Sequence, residues 1–280
     1  MNLFQPVPAD GPRPAGTPEV EKGSPSEAPP GHGLLAGKTV LVTAAAGTGI
    51  GSAAASRCLA EGARVAISDR HERRLGETSA KLSAEHGVEV LALPCDVTDQ
   101  AQVSALVEGV IGEFGRLDVL VNNAGLGGTA SILEMTDEQW SVVLDVTLTG
   151  TFRMTREVLP HMVARRSGVI VNNASVVGWR AQAGQAHYAA AKAGVMAFTR
   201  CTALDVAGYG VRVNAVAPSL AMHSFLAKVT TDELLDELSA REAFGRPAEP
   251  WEVATVIAFL ASDYSTYMTG EVVSVSSQHP

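Results

Sequence analysis

Tyr188 and Lys192 stand four residues apart in the run Gly184-Gln-Ala-His-Tyr-Ala-Ala-Ala-Lys-Ala-Gly194, and an Ala-rich stretch continues to about Leu204. On a helix such a pair shares one face, which puts an ammonium beside a phenol. A tyrosine titrates near ~10, and a fixed neighbouring cation favours its phenolate, drawing it toward the range where a side chain exchanges protons at neutral pH. Tyr188 is therefore expected to be an acid or base whose pKa Lys192 lowers. Ser175 lies upstream, at the end of the apolar run 168–173, which reads as a buried strand. Its hydroxyl would stand at the strand's C-terminal end, where open α/β sheets bind ligands. Alone, a Tyr and Lys at this spacing are more often a solvated helix face, so the surrounding elements must decide.

Those elements alternate. Short apolar runs at 39–43, 64–68, 89–94, 118–122, 169–172, 212–215 and 272–275 are separated by helical stretches. The pattern predicts one α/β domain, a doubly wound parallel sheet of about seven strands with helices on both faces. After the first strand comes Thr43-Ala-Ala-Ala-Gly47-Thr-Gly49-Ile-Gly51, then a helix over 52–60. Glycines let a backbone approach a pyrophosphate, and a helix N-terminus offers it unpaired N–H groups. Thr43, Gly47, Gly49, Ile50 and Gly51 are assigned to a dinucleotide on that ground. Asp69, at the end of the second strand, can accept from both adenosine ribose hydroxyls and repels a 2′-phosphate, which favours NAD. Arg70, Arg73 and Arg74 argue the other way, so NADP stays open.

The chain has 280 residues, 46% hydrophobic and 18% charged, enough for one sizeable core. Its net charge of −9 argues against nucleic acid and anionic membranes as partners. No apolar run approaches the ~20 residues of a membrane span, and the first thirty residues lack the basic and apolar regions of an export signal. Cys58, Cys95 and Cys201 are far apart, which suits reduced thiols in the cytoplasm. The histidines form no HExxH spacing, so no metal is expected. Residues 1–33 carry eight prolines and read as a disordered arm, with 34–280 as the domain and about 220–244 as a lid.

With Ser175, Tyr188, Lys192, the glycine loop and Asn122-Asn123-Ala124-Gly125, the stretch from about Leu35 to Val275 resembles the short-chain dehydrogenase/reductase family. The resemblance implies a Rossmann fold in which Ser175 binds the substrate oxygen, Tyr188 exchanges its proton, and Lys192 also holds the nicotinamide ribose. It further implies contacts to the cofactor from Asp96 and Val97 at the adenine, from Asn123, Ala124 and Gly125 along its length, and from Pro218. Three departures stand out. Ala44 occupies the first glycine of the family's TGxxxGxG, and the loop is one residue longer. Thr147 replaces the asparagine of DVNLTG, which in the family holds a water leading to the lysine. Pro218-Ser219 replaces Pro-Gly, and His223 falls where a threonine contacts the nicotinamide carboxamide. Helices over 137–165 and 187–208 resemble those that the family packs into dimers and tetramers, which implies a homo-oligomer.

Substrate choice is expected from Trp179, a broad apolar face, from Arg180, a planar anion binder, and from the lid. The loop TAAAGTGIG, the turn NNASVVGWRAQ, the Pro-Ser change and the ending TGEVVSVSSQ are similar to an actinobacterial branch acting on a hydroxylated, fused-ring acyl-CoA from steroid ring breakdown. A CoA ester would need local cations, and Arg180, Lys228, Arg241 and Arg246 are the candidates. The segment 184–194 is also similar to 3-oxoacyl-CoA and acyl-carrier-protein reductases. A reading of another class, a nucleotide-binding sensor without turnover, takes its room from Thr147 and the altered loop.

Overall fold

Val40 and Val42 of β1 (Thr39–Thr43) pack into one core while Leu41 between them packs into another, and all three are fully buried. A strand buried on both faces is the mark of a central strand in a covered sheet. The computed structural model describes residues 27–222, 238–240 and 242–277. Within it β1 is joined by β2 (Arg64–Asp69), β3 (Leu91–Pro94), β4 (Val119–Asn122), β5 (Gly168–Asn173), β6 (Val211–Pro218) and β7 (Val272–Val275). Their order is β3-β2-β1-β4-β5-β6-β7, every pairing parallel. Each predicted strand is present, with ends shifted by a few residues.

The helices fill the two faces. α1 (Ile50–Ala60), α2 (Glu72–His86) and α7 (Pro250–Ala261) cover the side of Val40, where Ala54, Cys58, Leu75, Ile257 and Leu260 are buried. α3 (Gln100–Phe114), α5 (Gly150–Arg165) and α6 (Ala186–Val206) cover the side of Leu41, through Val103, Val107, Met154, Met162 and Val206. Burial of each such Val, Leu or Met contributes roughly 1.5–3 kcal/mol. The stretch expected as one helix, 137–165, is broken into α4 (Asp137–Leu144), a π-helical turn (Asp145–Thr149) and α5.

The chain runs outward from β1 through β3 and then returns to the other side of β1 as β4. That reversal opens a crevice beyond the C-terminal ends of β1 and β4, the place where doubly wound sheets take ligands.

Residues 29–34, expected to end the arm, are packed on α1. Glu61, fully buried, accepts from the His32 and Leu34 amides at 2.8 and 3.0 Å and pairs with Arg57, which donates to the Pro29 carbonyl. A buried carboxylate must find donors, and here the chain itself supplies them. Residues 1–26 and 223–237 lie outside the described residues, and with them most of the arm, most of the lid, His223 and Lys228; so does Arg241. Cys58, Cys95 and Cys201 are unpaired. Among the described residues no helix is long and apolar enough to cross a membrane, and no cluster of His, Cys, Asp and Glu could hold a metal ion.

Candidate active site

β1 delivers the chain into the glycine loop with Ala44 in the left-handed region, φ 50°, the conformation that a glycine there would adopt freely. α1 begins at Ile50 with Gly49 as N-cap and no side-chain cap on its amides. Its first amides are thus open to an anion. Gly51 is required by contact, since a Cβ there would lie 2.5 Å from the Ala44 carbonyl oxygen and 2.5 Å from Asn123 Nδ2. The longer loop is tied down at two amides: Ala46 N–H donates to Asp69 at 3.3 Å and Gly47 N–H to Thr78 Oγ1 at 3.0 Å. Beside it a cavity of about 180 Å³ is lined by Ala44, Asp69, Asp96, Val97, Ala124 and Gly125 among others. Asp69, Asp96 and Val97, expected at the adenosine end of a dinucleotide, are thus brought together with Ala124 and Gly125, expected along its length. Asp96 also accepts from the Thr98 amide and hydroxyl at 2.9 and 2.7 Å.

Thr43 is placed differently from expectation. It is 1% exposed, and its hydroxyl accepts from the Asn123 and Ala124 amides at 3.0 and 3.1 Å, so it braces the loops from behind instead of facing the cleft. Asn123 spans the same gap, donating to the Thr43 and Ala44 carbonyls at 3.1 and 3.0 Å. Its own oxygen accepts from Asn173 Nδ2 at 2.9 Å, and the Asn173 carbonyl accepts from Lys192 Nζ. One polar chain therefore links the glycine loop to the lysine. Asn173 was not singled out in the sequence. The available signal was the repetition of Asn-Asn at two strand ends, since Asn122 and Asn172 are register partners and hydrogen-bond at 2.9 Å.

Ser175 sits just past the end of β5 as N-cap of a 3₁₀ turn, accepting from Val177 N–H at 3.3 Å and donating to the Pro218 carbonyl at 3.5 Å. Gly178 lets that turn rest on α6, for a Cβ would lie 3.0 Å from Ala193 N and 2.8 Å from Met196 Cε. Tyr188 and Lys192, both on α6, face the same place, with the ammonium 5.6 Å from the centroid of the phenol ring. The expected lowering of the Tyr188 pKa is not found. Part of the ring stays accessible, yet the surrounding protein pushes the phenol up to about 12, opposed by its hydrogen bond with Ser175. Burial also drives Lys192 down to about 8. Desolvation outweighs attraction because both groups sit in the same low-dielectric wall, and the ammonium is bonded to Asn173.

A family profile described as Enoyl-(Acyl carrier protein) reductase matches residues 44–277. A relative from Mycobacterium tuberculosis, named (5R,7aS)-5-hydroxy-7a-methyl-1-oxo-2,3,5,6,7,7a-hexahydro-1H-indene-carboxyl-CoA reductase, is 66% identical over 251 residues, covering 89% of this chain and 96% of its own. A 3-oxoacyl-[acyl-carrier-protein] reductase of Thermotoga maritima is 41% identical, covering 86% and 97%. A solved short chain dehydrogenase from Mycobacterium smegmatis is 58% identical, with a TM-score of 0.82, covering 92% and 99%. The chain belongs to the short-chain dehydrogenase/reductase family. As a member it is an oxidoreductase that uses a nicotinamide cofactor, and the open α1 N-terminus, the close approach at Gly51 and the Asp69 cavity fit one.

This short-chain dehydrogenase/reductase departs from its family at Thr147, and the structure shows what the threonine does. It is fully buried in the π-helical turn, where its hydroxyl accepts from Leu126 N–H at 3.0 Å and donates to Leu126 O at 3.3 Å. Such turns mark functional stretches of helices. Thr147 and Lys192 flank Gly125: a Cβ on that glycine would be 3.8 Å from the hydroxyl and 3.4 Å from the ammonium nitrogen. The threonine thus fastens the Gly125-Leu126 wall, and its carbonyl accepts from Thr151 Oγ1 at 2.8 Å. Trp179 is 51% exposed beside the Ser175 turn and Arg180 is half-buried next to it. Arg246 is not a free cation; both its terminal nitrogens bond Glu252 at 2.8 Å.

Proposed function

We propose that this chain interconverts a secondary alcohol and a ketone on a fused-ring acyl-CoA of the kind formed in steroid ring breakdown, with NAD as cofactor. The observation that carries the reaction is the convergence of Ser175, Tyr188 and Lys192 beside the glycine loop. When bound, the nicotinamide supplies or takes the hydride at the substrate carbon. Ser175 holds the substrate oxygen. Tyr188, kept protonated by its surroundings, is the donor to that oxygen in reduction and must first lose its proton for oxidation. Lys192 changes charge near pH 8, close enough to neutrality to pass a proton onward, and Asn173 fixes its ammonium. The first amides of α1 would hold the pyrophosphate and Asp69 the adenosine ribose, its charge disfavouring a 2′-phosphate.

The substrate class is supported by the 66% identical indene-carboxyl-CoA reductase. Arg180 follows the 3₁₀ turn that Ser175 caps and is assigned to the acyl-CoA. The test compares the CoA ester with the free acid of the same ring compound, with NAD and NADP, on the wild type and on Arg180→Ala at low and high salt. A higher kcat/KM for the ester, weakened by salt, is expected, because remote binding energy serves the reacting centre. Equal turnover of the free acid rejects the acyl-CoA reading. The second reading, a 3-oxoacyl thioester reductase, rests on the 41% identical relative and predicts that linear 3-oxoacyl thioesters are the better substrates.

Trp140, Val142 and Phe152, on α4 and α5, are 38%, 42% and 39% exposed. We assign this face to a homo-oligomer, which light scattering tests. Three unpaired cysteines suit the cytoplasm.

A further inference from the structure

Glu242 is 3% exposed, and its carboxylate gathers three segments that are distant in sequence. Oε2 accepts from Ser219 Oγ at 3.1 Å and from Ser277 Oγ at 2.8 Å, while Oε1 accepts from Leu220 N–H at 3.4 Å. The neighbouring backbone closes the same knot, with Ser219 N–H donating to Val275 O at 3.2 Å and Ala243 N–H to Ser277 O at 3.0 Å. Burying a carboxylate is costly, and an apolar side chain of similar size would fill the space at less expense. What the acid adds is direction, since it fixes the hydroxyl of Ser219 and the amide after it.

Ser219 follows Pro218, whose carbonyl accepts the Ser175 hydroxyl at 3.5 Å. That carbonyl belongs to the peptide plane shared with the Ser219 nitrogen, so whatever orients Ser219 also orients the acceptor of Ser175. Proline offers no N–H to the strand partner, so this plane is held by the Ser219 N–H bond to Val275 O, to which Glu242 adds its hold on the Ser219 hydroxyl and the Leu220 amide. The serine in place of the family's Pro-Gly glycine thus acquires a partner and a purpose: glycine would give Glu242 no hydroxyl to hold.

We infer that Glu242 is a positioning residue for Ser175, acting through Ser219 and the Pro218 carbonyl. The inference rests on the reading of Ser175 as the group that binds the substrate oxygen. Glu242 sets which way the Ser175 hydroxyl points, and hence its geometry toward Tyr188 and the substrate.

The experiment is a double-mutant cycle on the full chain with NAD and the ring hydroxyacyl-CoA. Glu242→Leu is expected to lower kcat by roughly tenfold with NAD affinity unchanged, as small displacements of reacting groups do. Glu242→Gln, which keeps an acceptor, is expected to recover most of that loss. In a Ser175→Ala background Glu242→Leu is expected to have almost no further effect on kcat, because its route to the chemistry is gone. Ser219→Ala, which removes one hydroxyl only, carries the same cycle should Glu242→Leu fail to fold. Full, multiplicative losses in the double variant overturn the inference and leave the catalytic reading intact. Near-normal turnover of Ser175→Ala alone overturns both.

Discussion

The Lys192 ammonium lies over the Tyr188 ring, 5.6 Å from its centroid, and gives its hydrogen bond to the Asn173 carbonyl. The lysine is thus anchored to the end of β5, and the phenol keeps its proton at neutral pH. Tyr188→Phe, which removes only the hydroxyl, is expected to lower kcat by roughly 100-fold or more while leaving NAD affinity intact. Steady-state kinetics with a fluorescence titration of the cofactor decides it, and near-normal turnover removes Tyr188 from its role.

Stability should carry the imprint of the same pair. Lys192 has a folded pKa near 8 against 10.5 for the free side chain, so between those values the unfolded chain binds more protons and stability rises with pH. Tyr188, near 12 when folded against 10.0 free, works oppositely: above pH 10 the unfolded chain loses its proton first and stability falls. Urea melts from pH 7 to 10 should show the wild type gaining on Lys192→Met by on the order of 3 kcal/mol, the buried charge being shed as pH rises. A difference that is flat with pH would mean that burial does not lower the Lys192 pKa.

Asp69 accepts from the Ala46 and His71 amides at 3.3 and 2.9 Å, so it shapes the glycine loop as well as facing the adenosine cavity. Asp69→Ser is expected to weaken NAD binding and to narrow the preference against NADP. Isothermal titration with both cofactors tests this. A wild type that already prefers NADP gives the decision to Arg70, Arg73 and Arg74.

Thr147→Val keeps the shape and removes the hydroxyl that serves both polar groups of Leu126. The loss is expected to cost about 1–3 kcal/mol of stability and to weaken NAD binding through the Gly125-Leu126 wall, with Thr147→Ser restoring both. Chemical denaturation and cofactor titration read the two effects. If binding is unchanged and only the pH–rate profile moves, Thr147 belongs to a proton relay instead.

The seven strands were legible because each is an apolar run bounded by turn residues, and a strand covered on both faces needs nothing subtler. The placement of Tyr188 and Lys192 on one helix, of Gly51 at the start of α1, and of Ser175 and Asp69 at strand ends was legible because each follows from a local pattern. What escaped was set by distance and burial. Asn173 matters through Asn123, and Glu242 through Ser219, pairs separated by 50 and 23 residues. The direction of the Tyr188 shift escaped for a related reason, since spacing reveals a neighbouring charge but not the loss of solvent around both groups. Thr43 was assigned to the cleft because a loop motif begins there, and only the fold shows that its hydroxyl points back between β1 and β4.

The clasp between residues 29–34 and α1 bears on where this protein can be trimmed or fused. Composition suggests cutting the proline-rich leader close to Leu35, but that cut would remove the His32 and Leu34 amides from Glu61 and the Pro29 carbonyl from Arg57. Gly31 is seated so closely that a Cβ there would lie 1.9 Å from the Ala60 carbonyl oxygen, so a tag or linker sequence cannot simply replace this stretch. A shortened protein that begins at Glu27 keeps the whole clasp, and one that begins at Leu35 leaves Glu61 paired with Arg57 but without the two amides that hold it at the end of α1.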